Sequence, residues 1–291
     1  MARASTFSHS RLSAFETCPR KYRFRYVDGI DLGRESIESF TGTLVHDALE
    51  WLHTEVRAGR APDAPAVAAR FREQWLARWH ADVAIVRESD TPEGFQQMGL
   101  RCLAAYHRRY EPFDRGEVVG LELKLQVPLD AEQRHWIMGF ADRVTRLGPG
   151  VYEIRDYKTG RWVPPQHELD RDRQLALYQM ALPRLFPDAR EVVLVWNYLQ
   201  KDLECSSRRT PAQIETLRAA TLALVLEILD LGVRAAADAG RSDALFPTRE
   251  SRLCDWCEYR AICPAMGASP DAWRDAQRAA RLAKSGQLEM F

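Results

Sequence analysis

The chain has 291 residues, 46% of them hydrophobic and 28% charged, and its 41 basic residues balance 41 acidic ones. That composition fits one large globular domain or two small ones and carries no global signature of a nucleic-acid binder, although a neutral total can hide a basic groove beside an acidic site. No stretch has the order of a signal peptide, the most apolar helical stretch (Thr221 to Val233) is interrupted by Glu227 and Asp230, and six cysteines suggest no disulfide framework; a cytoplasmic location without a membrane span is expected.

In chain order, residues 10–27 begin helically and contain Cys18-Pro19 followed by alternating basic and aromatic residues. A helix is predicted over 41–56, with Leu44, Val45, Ala48, Leu49 and Leu52 on its apolar face. Two further helical stretches, about 66–80 and 94–110, read as an inserted helical layer over 57–115 with no residue of obvious chemistry. Strands are predicted over 118–127, 135–147 and 151–158, the last two flanking the turn Gly148-Pro149-Gly150. A helix over 168–186, a strand over 191–199 and a long helix over 211–237 complete the pass.

The central constellation is Gly139-Phe140-Ala141-Asp142 and Asp156-Tyr157-Lys158. Asp142 and Asp156 are equidistant from Pro149, so a hairpin folding there sets the two carboxylates nearly opposite each other, with Cβ atoms about 5 Å apart. Asp156 and Lys158 share a strand face because side chains alternate with period two. Two carboxylates and an ammonium on one patch suit a hard divalent cation, which activates water and neutralises phosphoryl charge. The bland alternative is an exposed hairpin with a surface ion pair. Of the 41 basic residues only five are Lys, which sets Lys158 apart, since Lys can give up a proton and Arg cannot. His46, four residues after Gly42, lies inside the first predicted core helix, and Gln174 and Tyr178 share a helix face after the hairpin. Glu122, on the preceding strand, has a solvent-facing reading and a site-facing one.

Cys254, Cys257 and Cys263 lie within ten residues, a spacing that indicates a metal, and Cys18 is the natural fourth ligand. Four thiolates suit a tetrahedral Zn²⁺ or an iron–sulfur cluster. Cys102 and Cys205 stand alone and read as small buried residues.

Taken in order and spacing, Gly-x-x-x-His, Gly-x-x-Asp, Asp-x-Lys and Gln-x-x-x-Tyr resemble the RecB-like branch of the PD-(D/E)XK nucleases. The resemblance spans Ser10 to about Pro264, with Ala141 in place of the proline of the family name. It implies an α/β, restriction-endonuclease-like αβββαβ core. It also implies Mg²⁺ or Mn²⁺ on His46, Asp142, Asp156 and the Tyr157 carbonyl, Lys158 as the catalytic lysine, and Gln174 and Tyr178 on the DNA side. The single N-terminal Cys18 with a C-terminal trio resembles the 4Fe–4S staple of the iron–sulfur members of that branch, including CRISPR-associated ones and the AddB subunit. The expected activity is DNA phosphodiester hydrolysis at single strands or ends in repair. A CRISPR-adaptation nuclease and a non-catalytic DNA-binding scaffold are the alternatives. No Walker-type motif occurs, so unwinding would fall to a helicase partner. The tail at 285–291 resembles a sliding-clamp-binding peptide, with Gln287 fixing register and Leu288, Met290 and Phe291 entering an apolar pocket; the bland reading is a frayed end.

Overall fold

A computed structural model describes residues 4–238, 242–273 and 275. Strand β1 (Ser5–Phe7) leads into helix α1 (His9–Thr17). That helix stops where Cys18 turns extended (φ −158°, ψ 107°) and Pro19 opens helix α2 (Pro19–Tyr22). The helical reading of 10–27 therefore breaks at Cys18, because proline suits a first helical position and clashes inside a helix. β2 (Glu35–Ser36) precedes α3 (Ile37–Arg57), which the Ser36 hydroxyl caps by accepting the Ser39 amide. α4 (Ala64–Arg78), β3 (Val83–Ala84) and α5 (Pro92–Tyr110) complete the helical layer, with Asp63 and Thr91 as N-caps of the two helices. The five apolar residues read on α3 are all fully buried, in a cluster with Phe71, Leu103 and Tyr106.

β4 (Glu117–Pro128), β5 (His135–Gly148) and β6 (Val151–Lys158) form an antiparallel meander. Its tight turn needs the left-handed backbone of Gly150 (φ 73°), where a Cβ would press on the Asp188 carbonyl. Two helices, α6 (Gln166–Leu169) and α7 (Gln174–Leu185), stand where one was expected. Between them the Asp172 carboxylate takes the Gln174 amide, and Asp170 is bound by Gln166 and Ser207, so side chains compete with the helical ladder. β7 (Glu191–Tyr198) pairs parallel with β6, and β8 (Leu203–Ser207) pairs antiparallel with β7. The long α8 (Pro211–Ala237) and the short α9 (Ser242–Leu245) follow.

The sheet runs β1-β5-β6-β7-β8, with β4 also paired to β5. The start of β5 pairs with β1 and its end with β6, while β4 follows its other flank. Among the described residues, positions 138–142 of β5 thus have a strand on one side only. The core order α3-β4-β5-β6-α7-β7 is the αβββαβ order expected, consistent with the restriction-endonuclease-like fold.

The chain divides into two units: the residues up to Leu12 with Glu35–Asp230, and Ser13–Arg34 with the chain from Leu231 onward. The first holds the sheet and the helices α3 to α7. In the second, Phe24, Ile30, Tyr259 and Ile262 form a small core, Tyr22 stacks on Phe246, and Arg20 and Arg23 both pair with Asp243. The tail residues Gln287, Leu288, Met290 and Phe291 lie outside the described residues. No described helix is long and apolar enough to cross a membrane.

Candidate active site

The last pair on the β5–β6 ladder is Arg143 with Arg155, so the next position would set Asp142 against Asp156. There the strands part, and the Tyr157 amide donates to the Asp142 carboxylate at 2.7 Å. Asp156 and Lys158 share one face of β6, with Lys158 Nζ 2.8 Å from Asp156 Oδ2. Gln174, the first residue of α7, ties them together: its Nε2 donates to Asp156 Oδ1 at 2.8 Å and its Oε1 accepts from Lys158 at 2.9 Å. Helix α3 brings in His46, whose Nε2 lies 2.8 Å from the Tyr157 carbonyl and whose Nδ1 lies 3.4 Å from Asp142. Gly42 makes that approach possible, since a Cβ there would lie 3.0 Å from Thr159 Oγ1.

Glu122 belongs to the same place. It falls between the pairs Leu121–Arg143 and Leu123–Ala141, opposite Asp142, with a left-handed backbone (φ 41°). A glutamate held there is strained, and such strain gathers at functional sites. Ligand atoms of His46, Glu122 and Asp142 lie within 4.8 Å of one another. Asp156 stands outside that trio, but its Oδ2 is buried and lacks an aligned hydrogen bond even though Lys158 is at ion-pair distance. Oxygen-rich donors gathered beside a buried carboxylate fit a hard divalent cation.

The electrostatics agree with that fit. Burial, opposed by Lys158 and reinforced by Asp142, raises the Asp156 carboxyl to about 6. Burial and Asp142 likewise push the Glu122 carboxyl up. Burial works against a charged His46, yet the hydrogen bond and charge of Asp142, with Asp156 and the Tyr157 carbonyl, raise it to about 9. Lys158 is raised despite its burial by Asp156 first and Asp142 after. The site thus carries more negative charge than its own cations neutralise comfortably.

Tyr178, one turn beyond Gln174, is 6% exposed. Its ring lies on the backbone of Gly139, where an added Cβ would overlap it. The motif residues Gly139 and Tyr178 are therefore one contact, beside the single-flanked stretch of β5.

The sequence reading missed a buried polar set that includes His53, Tyr106, Tyr110, Arg143, Glu153 and Arg155. The available signal was weak: charged residues alternating along β5 and β6 look like a solvent face.

In the second unit, Cys18, Cys254, Cys257 and Cys263 line one cavity of about 180 Å³, with Phe24, Trp256 and Tyr259 among its other walls. The Arg249 amide points at Cys18 Sγ and the Ser251 amide at Cys254 Sγ, both at 3.4 Å. Burial, with Glu258 and Cys18 nearby, pushes the Cys257 thiol up. Among the described residues no three of these sulfurs lie mutually within 4.8 Å, the spacing at which His46, Glu122 and Asp142 gather. Cys102 and Cys205 do not line this cavity; Cys102 is buried against Met98.

Several solved structures are similar to the chain, two of which illustrate the likeness. One is SSO0001, 15% identical over 91% of this chain and 89% of that one, with a TM-score of 0.41. The other is a protein from Eubacterium rectale named "Putative exonuclease", 13% identical over 88% of both chains, with a TM-score of 0.48. No curated protein matches the chain. Residues 6–264 match the family model of the PD-(D/E)XK nuclease superfamily. That match takes in the parted β5–β6 hairpin, His46 and the lysine clamp alike, and the chain accordingly belongs to this superfamily of metal-dependent phosphodiester hydrolases.

Proposed function

We propose that the chain is a DNA exonuclease of the RecB-like, iron–sulfur-containing branch, acting on single strands or ends. The observation that carries the reading is the convergence of His46, Asp142, Asp156 and Lys158 where β5 and β6 part. Asp142, Asp156 and His46, with the Tyr157 carbonyl and the neighbouring Glu122, would hold Mg²⁺ or Mn²⁺, which supplies an activated water and neutralises phosphoryl charge. Lys158 is kept charged and aimed by Asp156 and the Gln174 carbonyl, so its ammonium orients the attacking water or steadies charge on the phosphate oxygens. Gln174 hydrogen-bonds both members of the Asp156–Lys158 ion pair and holds it aligned; its part and that of Tyr178 at the DNA is through this alignment and the shape of the adjacent strand. The presence of every acid and the lysine argues against a decayed, purely binding scaffold.

Substrate form is supported by exposed aromatics flanking the site in sequence. Phe140 (48% exposed) precedes Asp142 by two residues, and Trp162 (72% exposed) follows Lys158 by four. Flat rings of this kind stack on unpaired bases, at about 1–3 kcal/mol each.

The four cysteines on one cavity support a thiolate-bound metal centre, read as a 4Fe–4S cluster rather than zinc because a lone N-terminal Cys18 with a C-terminal trio resembles the iron–sulfur members of the branch. The cluster's role is structural. The clamp and helicase partners rest on sequence alone.

The test is digestion of end-labelled linear single- and double-stranded DNA, and of circular single-stranded DNA, with Mg²⁺ or Mn²⁺. Linear single strands should be degraded while circles persist, and Asp142→Ala, Asp156→Ala and Lys158→Ala should each lose orders of magnitude in rate with the fold kept. Full activity in Asp156→Ala defeats the mechanism, and cleavage of circles defeats the exonuclease assignment.

A further inference from the structure

Beneath the metal-site face of β6 lies the buried polar set that the chemistry above does not use. Arg143 Nη1 donates to His53 Nε2 at 2.7 Å and to Tyr106 Oη at 2.8 Å. A guanidinium only donates, so His53 Nε2 is an acceptor and the ring is neutral, with its proton on Nδ1. Burial and the charges of Arg143 and Arg155 hold the ring neutral, lowering its pKa to about 2. Tyr106 Oη is 2.7 Å from the same His53 nitrogen and 3.0 Å from Tyr157 Oη. Tyr106 thus links the His53 ring to Tyr157, and either hydroxyl of the tyrosine pair can be the donor. Arg143 is held from its other side by Glu153, which Arg155 engages with two further hydrogen bonds. The set joins α3, α5, β5 and β6.

Tyr157 is where this set meets the site. Its ring points into the network, while its peptide groups face the candidate ligands: the amide holds Asp142 at 2.7 Å and the carbonyl meets His46 at 2.8 Å. A rigid ring pinned at its far end leaves the peptide at its near end little freedom to turn.

We propose that Tyr157, Tyr106, His53 and Arg143 are positioning residues that set the Asp142 carboxylate and the His46 imidazole for the divalent metal, acting through the peptide groups of Tyr157. The proposal rests on the nuclease reading above. It assigns a role to the helical layer as well, since Tyr106 belongs to α5. Partners that orient metal ligands are worth about 10–100-fold in metal affinity or activity.

The experiment is a Mn²⁺ titration of the full-length protein, followed by electron paramagnetic resonance, on wild type, Tyr157→Phe, Tyr106→Phe and Asp142→Ala. Circular dichroism melts accompany it to show that each variant is folded. Either phenylalanine variant removes one hydroxyl and keeps the ring. Both should bind Mn²⁺ about 10-fold more weakly, with the Mn²⁺ needed for half-maximal DNA hydrolysis raised to match and KM for DNA at saturating metal unchanged. Unchanged Mn²⁺ binding in both, while Asp142→Ala loses it, overturns the proposal and leaves the nuclease reading standing. Loss of the fold in either phenylalanine variant would mark the hydroxyls as structural and also overturn it. Failure of the wild type to bind Mn²⁺ would take down the nuclease reading and the proposal together.

Discussion

Gly139 tolerates no side chain larger than hydrogen, because the ring of Tyr178 lies on its backbone. Gly139→Ala should therefore force a shift of that ring or of β5, an overpacking cost of about 1–3 kcal/mol, and should reduce activity because Asp142 is three residues along the same strand. Thermal unfolding and DNA hydrolysis check this, and an alanine variant with wild-type melting would contradict the contact. The spacing of Gly139 to Asp142 and of Gln174 to Tyr178 was readable as two separate patterns. That a glycine of one serves an aromatic of the other is a tertiary fact with no trace in either spacing. Glu122 is a similar case: its strand was legible, but which side of the strand it faced depended on a left-handed residue that alternation cannot foresee.

Among the elements, β4, β5 and β6 emerged from the sequence within a residue or two, because alternation and a Gly-Pro-Gly turn are strong signals, whereas β1 and β8 span too few residues to show a period. The helical layer looked chemically silent, yet α5 sends Tyr106 and Tyr110 to the sheet beside His53 of α3. A pH dependence belongs to this buried seam. His53 titrates near 6.5 in an unfolded chain and near 2 in the folded one, through burial and the charges of Arg143 and Arg155. Below 6.5 the unfolded chain takes up a proton that the folded chain refuses. The contribution is therefore complete above pH 6.5 and is lost as pH falls toward 2, at about 1.4 kcal/mol per pH unit. Urea unfolding at pH 7.5 and 5.5 should show the wild type losing about 1.4 kcal/mol more than His53→Gln over that interval. Equal losses would mean that the folded protein accepts the proton.

At the scale of the whole molecule, the four cavity-lining cysteines come from two segments far apart in sequence that form one unit. Protein purified without air should be brown with four irons at this site, and Cys18→Ser should lose iron and melt at lower temperature, while Cys102→Ser, outside the cavity, should keep its iron. One zinc and no sulfide on metal analysis would reverse the assignment. The grouping of Cys18 with the later trio was legible because thiols at ligand spacing have few other uses, but the division of the chain into two units was not, since nothing in composition changes at residue 13 or 231. The same division has a consequence in time. Phe15, Tyr22 and Phe24 are made long before Phe246 and Tyr259, rings they meet in this unit, and Cys254 stands 236 positions after Cys18. At 5–20 residues per second a ribosome takes roughly 10–50 s to cross that distance. For that interval Phe15, Tyr22 and Tyr26 have only one another to pack on, and the four cysteines of the cavity are not all present. Insertion of the proposed cluster would therefore wait until Cys254, Cys257 and Cys263 had all been made, and a cell short of iron would accumulate chains without it.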